Sequence, residues 1–78
     1  MTEAILQAVL NGVYVSFTPS TGPNNRVEGV RIGVQAQTWN GVCNLNRILP
    51  LVVLTDAAEG AEAVLSRTVS EMAAEVRK

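Results

Sequence analysis

Apolar residues near the start of the chain recur at the spacing of an amphipathic helix. Ile5, Ala8 and Val9 fall on one helical face. Leu6 and Leu10 widen that face into a broader stripe. The pattern predicts a short helix that, at about two turns, is stable only when it packs against other elements.

Residues that are typical of helix ends flank this predicted helix. Thr2 can act as the N-cap, because its hydroxyl can accept a hydrogen bond from an unpaired backbone N–H. Asn11-Gly12 marks the end, since glycine adopts the left-handed conformation that closes a helix at little steric cost. The helix is therefore predicted to end where a run of β-branched residues begins.

From Val13 to Thr18 the sequence VYVSFT alternates apolar and polar residues, which predicts a first strand with one buried face. The next stretch, 19–25 (PSTGPNN), concentrates turn-forming residues and predicts a surface loop. A long second strand follows. Within it, Gly29 and Gly33 indicate a bulge or a close approach of another backbone.

The dipeptide Asn40-Gly41 predicts a tight hairpin between the second and third strands. A type I′ turn needs positive φ at both central residues, and this dipeptide tolerates that conformation best. In the resulting register Trp39 faces Val42, and the two faces of the hairpin separate by polarity. The predicted apolar face contains Ile32, Val34, Ala36, Cys43, Leu45 and Leu49, and the polar face contains Arg31, Gln35, Gln37, Trp39, Asn44 and Asn46.

The third strand is predicted to lie at an edge of the sheet. Pro50 cannot donate a hydrogen bond to a neighbouring strand, so it is tolerated only at an edge. A meander in the order 1-2-3 gives the strand that position. The apolar run from Leu49 to Leu54 is predicted to continue the edge strand, where it favours aggregation unless another surface covers it. A second chain could supply that cover.

A long C-terminal helix is predicted to begin at Thr55-Asp56. Asp56 and Glu59 have capping-box spacing. The predicted apolar stripe consists of Ala58, Ala61, Leu65, Thr68, Val69, Met72 and Val76. At about 22 residues and about 1.5 Å per residue the helix would span roughly 33 Å, which is longer than a small sheet needs. Its end is therefore free to pair with another subunit.

Together these elements predict a single α+β domain over 1–78, in the order α-β-β-β-α, with both helices on one face of the sheet. Natural proteins of this size usually supplement a small core with a disulfide, a metal or a partner subunit. Cys43 is the only cysteine and the chain has no histidine, so neither an intrachain disulfide nor the usual zinc sites can form. We therefore expect a homo-oligomer, with a dimer as the first expectation, whose interface contains Leu51, Val53, Leu65, Val69 and Met72.

The net charge and the absence of targeting signals limit the expected location and partners of the protein. A formal net charge of −1 gives no attraction to phosphate backbones or anionic lipid. The start MTEAILQAVLNG lacks the basic region and cleavage site of a secretory signal. No apolar run reaches the roughly 18–20 residues that a membrane helix needs. We expect a cytoplasmic protein that does not contact a membrane.

The sequence offers little catalytic chemistry. It contains no histidine and no Gly-rich phosphate loop between a strand and a helix. Cys43 falls on the predicted apolar face without a neighbouring base, so we expect it to pack as a small hydrophobic residue. We expect no enzymatic activity, no cofactor and no metal site.

The polar face of the predicted sheet, which on the first strand also carries Ser16 and Thr18, is the candidate binding surface. Exposed aromatic and amide groups with one guanidinium can stack on, and hydrogen-bond to, a flat ligand, an unpaired base or a protein partner. An ordinary solvated face, with Trp39 shielding the end of the hairpin, is the alternative. The candidate residues are Tyr14, Arg31, Gln35, Gln37, Trp39, Asn44 and Asn46.

The order of helix, three strands and helix resembles that of the double-stranded RNA-binding domain. The resemblance is one of topology alone. Such domains present a basic cluster at the start of the last helix, where residues 55–62 of this chain read TDAAEGAE and would repel phosphate. Nucleic acid is therefore not the expected partner.

Three classes of function remain open from the sequence. The first is a small non-enzymatic protein that acts by stoichiometric contact, such as a phage or mobile-element accessory protein that inhibits or sequesters a host factor or small ligand. The second is nucleotide or nucleic-acid binding through Trp39, Tyr14 and Arg31. The third is a structural subunit of a larger assembly. We expect the first, with self-association.

Overall fold

A computed structural model describes residues 2–77 and confirms the predicted α+β architecture. Three antiparallel strands form one sheet in the order β1-β2-β3, so β1 and β3 are both edge strands. The elements are α1 (Thr2–Leu10), β1 (Val13–Thr21), β2 (Val27–Thr38), β3 (Gly41–Pro50), α2 (Leu51–Thr55) and α3 (Ala61–Val76).

The core lies between one face of the sheet and the helices α1 and α3. Ile32 and Val34 of the central strand are buried under Val69 and Met72 of α3. Period-two alternation in the strands and helical spacing in α3 bring these residues to the same side. Within residues 2–77 no helix covers the opposite face of the sheet, where Tyr14, Gln35 and Asn44 are exposed. The protein is correspondingly flat, with extents of 40 × 29 × 16 Å.

The predicted apolar stripe of α1 is only partly buried. Ala8 is buried and Ile5 is half-buried, whereas the side chains of Leu6, Val9 and Leu10 are 52%, 54% and 70% exposed. The small residues on α1 face α3, because alanine allows the two helices to approach closely. The large aliphatic residues are left on the outer side of α1, which corrects the stripe expected from spacing alone.

The predicted loop at 19–25 is too long. β1 continues through Pro19 to Thr21, and Pro19 pairs in register with Val30. The physical reason is that β1 is an edge strand, where a proline can lie without breaking a ladder. The connection to β2 is therefore confined to 22–26, and Asn25 in it has a positive φ of 58°.

The hairpin turn differs from the predicted type I′ turn. Trp39 and Asn40 form the turn, and Gly41 takes the positive φ of 114°, while Asn40 does not have positive φ. Thr38 stabilises this arrangement, because its Oγ1 donates to the Gly41 carbonyl at 2.9 Å and accepts from the Asn40 N–H at 3.3 Å.

The strand register is consequently offset by two residues from the prediction. Thr38 pairs with Gly41 and Gln37 pairs with Val42, so Trp39 does not face Val42. A shift by two residues moves no side chain to the opposite face, because strand side chains alternate with period two. The predicted separation of polar and apolar faces therefore holds.

The chain after β3 forms a helix, so the prediction that the edge strand continues to Leu54 is wrong. Pro50 ends β3 and serves as the N-cap residue of α2, with φ −61° and ψ 148°. Proline has the right φ to precede a helix and no N–H to extend the ladder. Leu54 is buried, whereas Leu51, Val52 and Val53 remain between 41% and 59% exposed.

The last helix is shorter than predicted and does not begin at Thr55-Asp56. Asp56 is the C-cap of α2, and its backbone N–H donates to the Val52 carbonyl at 3.0 Å. Glu59 forms an ion pair with Arg67 instead of completing a capping box. α3 has 16 residues, about 24 Å at about 1.5 Å per residue, so it matches the sheet and does not project beyond it.

No helix within residues 2–77 has the length and apolar character needed to cross a membrane.

Candidate functional site

The face of the sheet opposite the helices carries three cross-strand rows of mainly polar residues, which we call the open face. Each row takes one residue from each strand, because the paired registers of β1, β2 and β3 place side chains of the same parity together. The rows are Tyr14–Gln35–Asn44, Ser16–Gly33–Asn46 and Thr18–Arg31–Ile48.

A depression of about 260 Å³ lies in the middle of this face. Its floor is Gly33, the only residue of the central row without a side chain. A Cβ built on Gly33 would lie 2.8 Å from Ser16 Oγ and 3.1 Å from Asn46 Oδ1. A side chain at this position would therefore push against Ser16 and Asn46, and the glycine keeps the centre of the face low, with polar atoms on both sides.

Neutral hydrogen-bonding groups surround the depression. Tyr14, Gln35 and Asn44 form one wall, and Ser16 and Asn46 lie in the adjoining row. Within residues 2–77, no hydrogen bond engages any of these five side chains. Their donors and acceptors are all available to a ligand, and no charged residue lines the depression.

The other predicted members of the binding surface lie around the depression without lining it. Arg31 is on the open face, in the row next to Gly33. Gln37 is on the same face and pairs with Val42. Trp39 lies in the hairpin turn with 93% of its surface exposed, so it does not belong to the strand rows. The sheet thus brings together Tyr14, Gln35, Asn44 and Asn46.

Gly33 was not among the predicted site residues, and Ser16 was predicted on the polar face without being named as a binding residue, although both had a usable signal. A glycine inside a strand is unfavourable for the strand and often marks a close approach by a ligand or another backbone. Ser16 has the parity of Tyr14 on β1. What the sequence could not supply was the register that places Ser16, Gly33 and Asn46 in one row.

The predicted oligomer-interface residues divide into exposed and buried members. Leu51 and Val53 are 41% and 43% exposed, and Leu65 is half-buried. Val69 and Met72 are 0% and 1% exposed, because they pack against the sheet of their own chain. These two side chains offer no surface to a second subunit, so the structure does not support them as interface residues.

Cys43 lies on the apolar side of β3, as its parity predicts, but it is exposed and not packed in the core. The reason is its position at the turn end of an edge strand, which the helices do not reach. Its Sγ is 3.8 Å from Thr38 Oγ1. Among the described residues, no group of three or more cysteine, aspartate and glutamate side chains is placed to hold a metal ion.

Comparisons of the chain with protein-family models, with curated proteins and with solved structures found no match. The open face and the sheet edges are therefore the candidate functional surfaces of the protein.

Proposed function

We propose that the protein is a non-enzymatic binding protein that holds a neutral, flat, hydrogen-bonding ligand in the depression at Gly33. One observation carries this proposal: the central strand has a glycine where a side chain would fill the middle of the open face. Such a protein acts by stoichiometric contact, because it sequesters its ligand and does not convert it.

The side chains around the depression favour a particular class of ligand. Amide groups of Gln35, Asn44 and Asn46 present both donors and acceptors, and the hydroxyl of Ser16 can do either. The ring of Tyr14, which is 73% exposed, can stack on a planar group. Planar groups with adjacent donors and acceptors, such as a nucleobase or a peptide amide, satisfy both requirements.

A polyanionic ligand is disfavoured by the charge of the same surface. Arg31 is the only charged residue in the three rows of the open face. Nucleic-acid binding draws most of its affinity from several cations that contact phosphates. The second function considered from the sequence, nucleotide or nucleic-acid binding through Trp39, Tyr14 and Arg31, therefore has weaker support than binding of a neutral group.

Ligand-observed NMR tests the proposal with two neutral probes, adenosine and N-acetylalanine methylamide. Saturation transfer from the protein to at least one probe at millimolar concentration is the expected result. Gly33→Ala should abolish the transfer, because the added methyl group occupies the floor of the depression. Gln37→Ala is the matched control, since it removes an amide from the same face outside the depression.

Two outcomes would contradict the proposal. Equal transfer in the wild type and in Gly33→Ala would place binding elsewhere on the protein. Transfer from neither probe would remove the proposed ligand class. Adenosine 5′-monophosphate serves as a charged comparison, and a large gain in affinity over adenosine would favour the nucleotide alternative, with Arg31 as the phosphate contact.

A further inference from the structure

The two edges of the sheet differ in how well they are protected against pairing with another strand. β1 contains Pro19 and has an irregular register between Ser20 and Thr21, and both features hinder addition of a strand. β3 has neither feature from Gly41 to Leu49, and Arg47 is its only charged residue. β3 is therefore an open template for backbone pairing.

The residues of β3 are arranged almost symmetrically about Leu45. Asn44 and Asn46 are its direct neighbours, and the exposed aliphatic residues Val42 and Ile48 lie three positions away on either side. A strand that reads nearly the same in both directions matches an antiparallel copy of itself. This is the requirement for an isologous two-fold contact, in which the same patch is used by both subunits.

We propose that two copies of the protein pair through β3, antiparallel, about a two-fold axis at Leu45, to form one continuous sheet. Leu45 of each copy then faces Leu45 of the other on the helix-covered side. On the open side, Asn44 faces Asn46 of the second copy, and Val42 faces Ile48 of the second copy. At these positions amide faces amide and aliphatic faces aliphatic, so like side chains can contact each other across the strands, while Cys43 faces Arg47.

Neighbouring registers are worse by the same criterion. Each side chain must stay on its own face of the sheet, so the partner of each residue can change only by an even number of positions. A change of two positions moves the two-fold axis by one residue, to Asn46 or to Asn44. With the axis at Asn46, Ile48 faces Asn44 of the second copy, and with the axis at Asn44, Val42 faces Asn46. Either shift sets aliphatic residues opposite amides. An axis further along the strand, at Arg47, would set the two Arg47 side chains opposite each other.

The proposed pairing covers surface that a single chain leaves exposed. Val42 and Ile48 are 54% and 50% exposed on the open face. A net charge of −1 gives little repulsion between two copies.

The pairing would also enlarge the candidate binding site. Asn44, Leu45 and Asn46 line the depression at Gly33 and belong to the paired strand. The two depressions would therefore adjoin across the axis, and each would gain amide groups from the second copy. Only this consequence rests on the proposed function, because the pairing itself needs no ligand.

Light scattering over a concentration series, without ligand, tests the pairing directly. The wild type should reach twice the chain mass of 8.3 kDa. Ile48→Glu should raise the dissociation constant by about tenfold or more, because it places a carboxylate opposite Val42 at two symmetric positions. Val27→Glu is the matched control, since Val27 is 49% exposed and lies outside β3. A monomeric wild type at all concentrations would overturn the proposal, as would equal dissociation constants for the two folded variants.

A disulfide trap tests the register independently of any loss of stability. Leu45→Cys in a Cys43→Ser background should cross-link quantitatively under mild oxidation, because residues on the axis face each other at a Cβ separation of about 5 Å. Natural Cys43 is the control. Its counterpart lies four positions along the paired strand, about 13 Å away, so it should not cross-link within the dimer. Cross-linking through Cys43 but not through Leu45→Cys would contradict the proposed axis.

Discussion

Large apolar residues contribute unequally to the stability of this small fold. Met72 is 1% exposed between α3 and the sheet, whereas Leu10 is 70% exposed on the outer side of α1. A large residue stabilises the folded state through the apolar area that it removes from water. Hydrophobicity in the sequence therefore overstates the contribution of α1 and does not distinguish these two residues.

Substitution of each residue by alanine should reveal the difference. Met72→Ala should lower the free energy of unfolding by about 2–5 kcal/mol, since it leaves a cavity in the core. Leu10→Ala should change it by less than about 0.5 kcal/mol. Urea denaturation followed by circular dichroism measures both. Similar losses in the two variants would mean that the outer side of α1 is covered in solution.

Two glycines of the central strand should respond differently to an added methyl group. A Cβ on Gly29 would lie 2.4 Å from the backbone oxygen of Leu49, whereas a Cβ on Gly33 meets only the ends of the Ser16 and Asn46 side chains. Backbone cannot move aside without disrupting the ladder, but side chains can rotate. Gly29→Ala should therefore cost about 1–3 kcal/mol of stability and Gly33→Ala much less. Thermal unfolding of the two variants is the measurement, and an equal loss would contradict the assigned contacts.

The hairpin turn shows how an element is specified beyond its dipeptide signal. Asn40-Gly41 suits a type I′ turn, but Thr38 hydrogen-bonds to both of these residues and moves the turn to Trp39 and Asn40. Only Gly41 then needs positive φ. Side-chain hydrogen bonds to the backbone can compete with intrinsic turn preference, and neighbouring residues decide which one prevails.

The two turn geometries make opposite predictions for Asn40. Gly41→Ala should destabilise the protein by about 1–2 kcal/mol, because its φ is costly for a residue with a Cβ. Asn40→Ala should be nearly neutral, since Asn40 does not have positive φ. Chemical denaturation of both variants separates the cases. A loss for Asn40→Ala as large as that for Gly41→Ala would support a type I′ turn.

Five of the six elements were predicted with the right type, whereas α2 was predicted as strand, and the ends of the elements were less predictable. Period-two alternation located the strands and fixed which face each residue occupies, even with the register offset by two. The ends depended on tertiary position. Pro19 continues β1 because that strand is at an edge, and Asp56 closes α2 because Pro50 starts a helix there. Neither of these element ends can be predicted from the spacing of apolar and polar residues along the chain.

At the scale of the whole molecule, helices pack on only one face of the sheet. The other face is left without a cover, and the edge at β3 is open to pairing with another strand. The polar composition of that face was predictable from alternation, so Tyr14, Gln35, Asn44 and Asn46 could be named in advance. The depression was not predictable from alternation, because it depends on the strand register that places Ser16, Gly33 and Asn46 side by side. Burial of Val69 and Met72 likewise became evident only when α3 was placed on the sheet.

The most direct test of the central claim, that the depression at Gly33 is a binding site, is a map of the amide signals that adenosine or N-acetylalanine methylamide perturbs in the ¹⁵N-labelled protein. We predict that the largest shifts fall on Ser16, Gly33, Gln35, Asn44 and Asn46, and that Gly33→Ala removes them. Shifts concentrated around α1 or α2, or no shifts at millimolar probe, would contradict the claim.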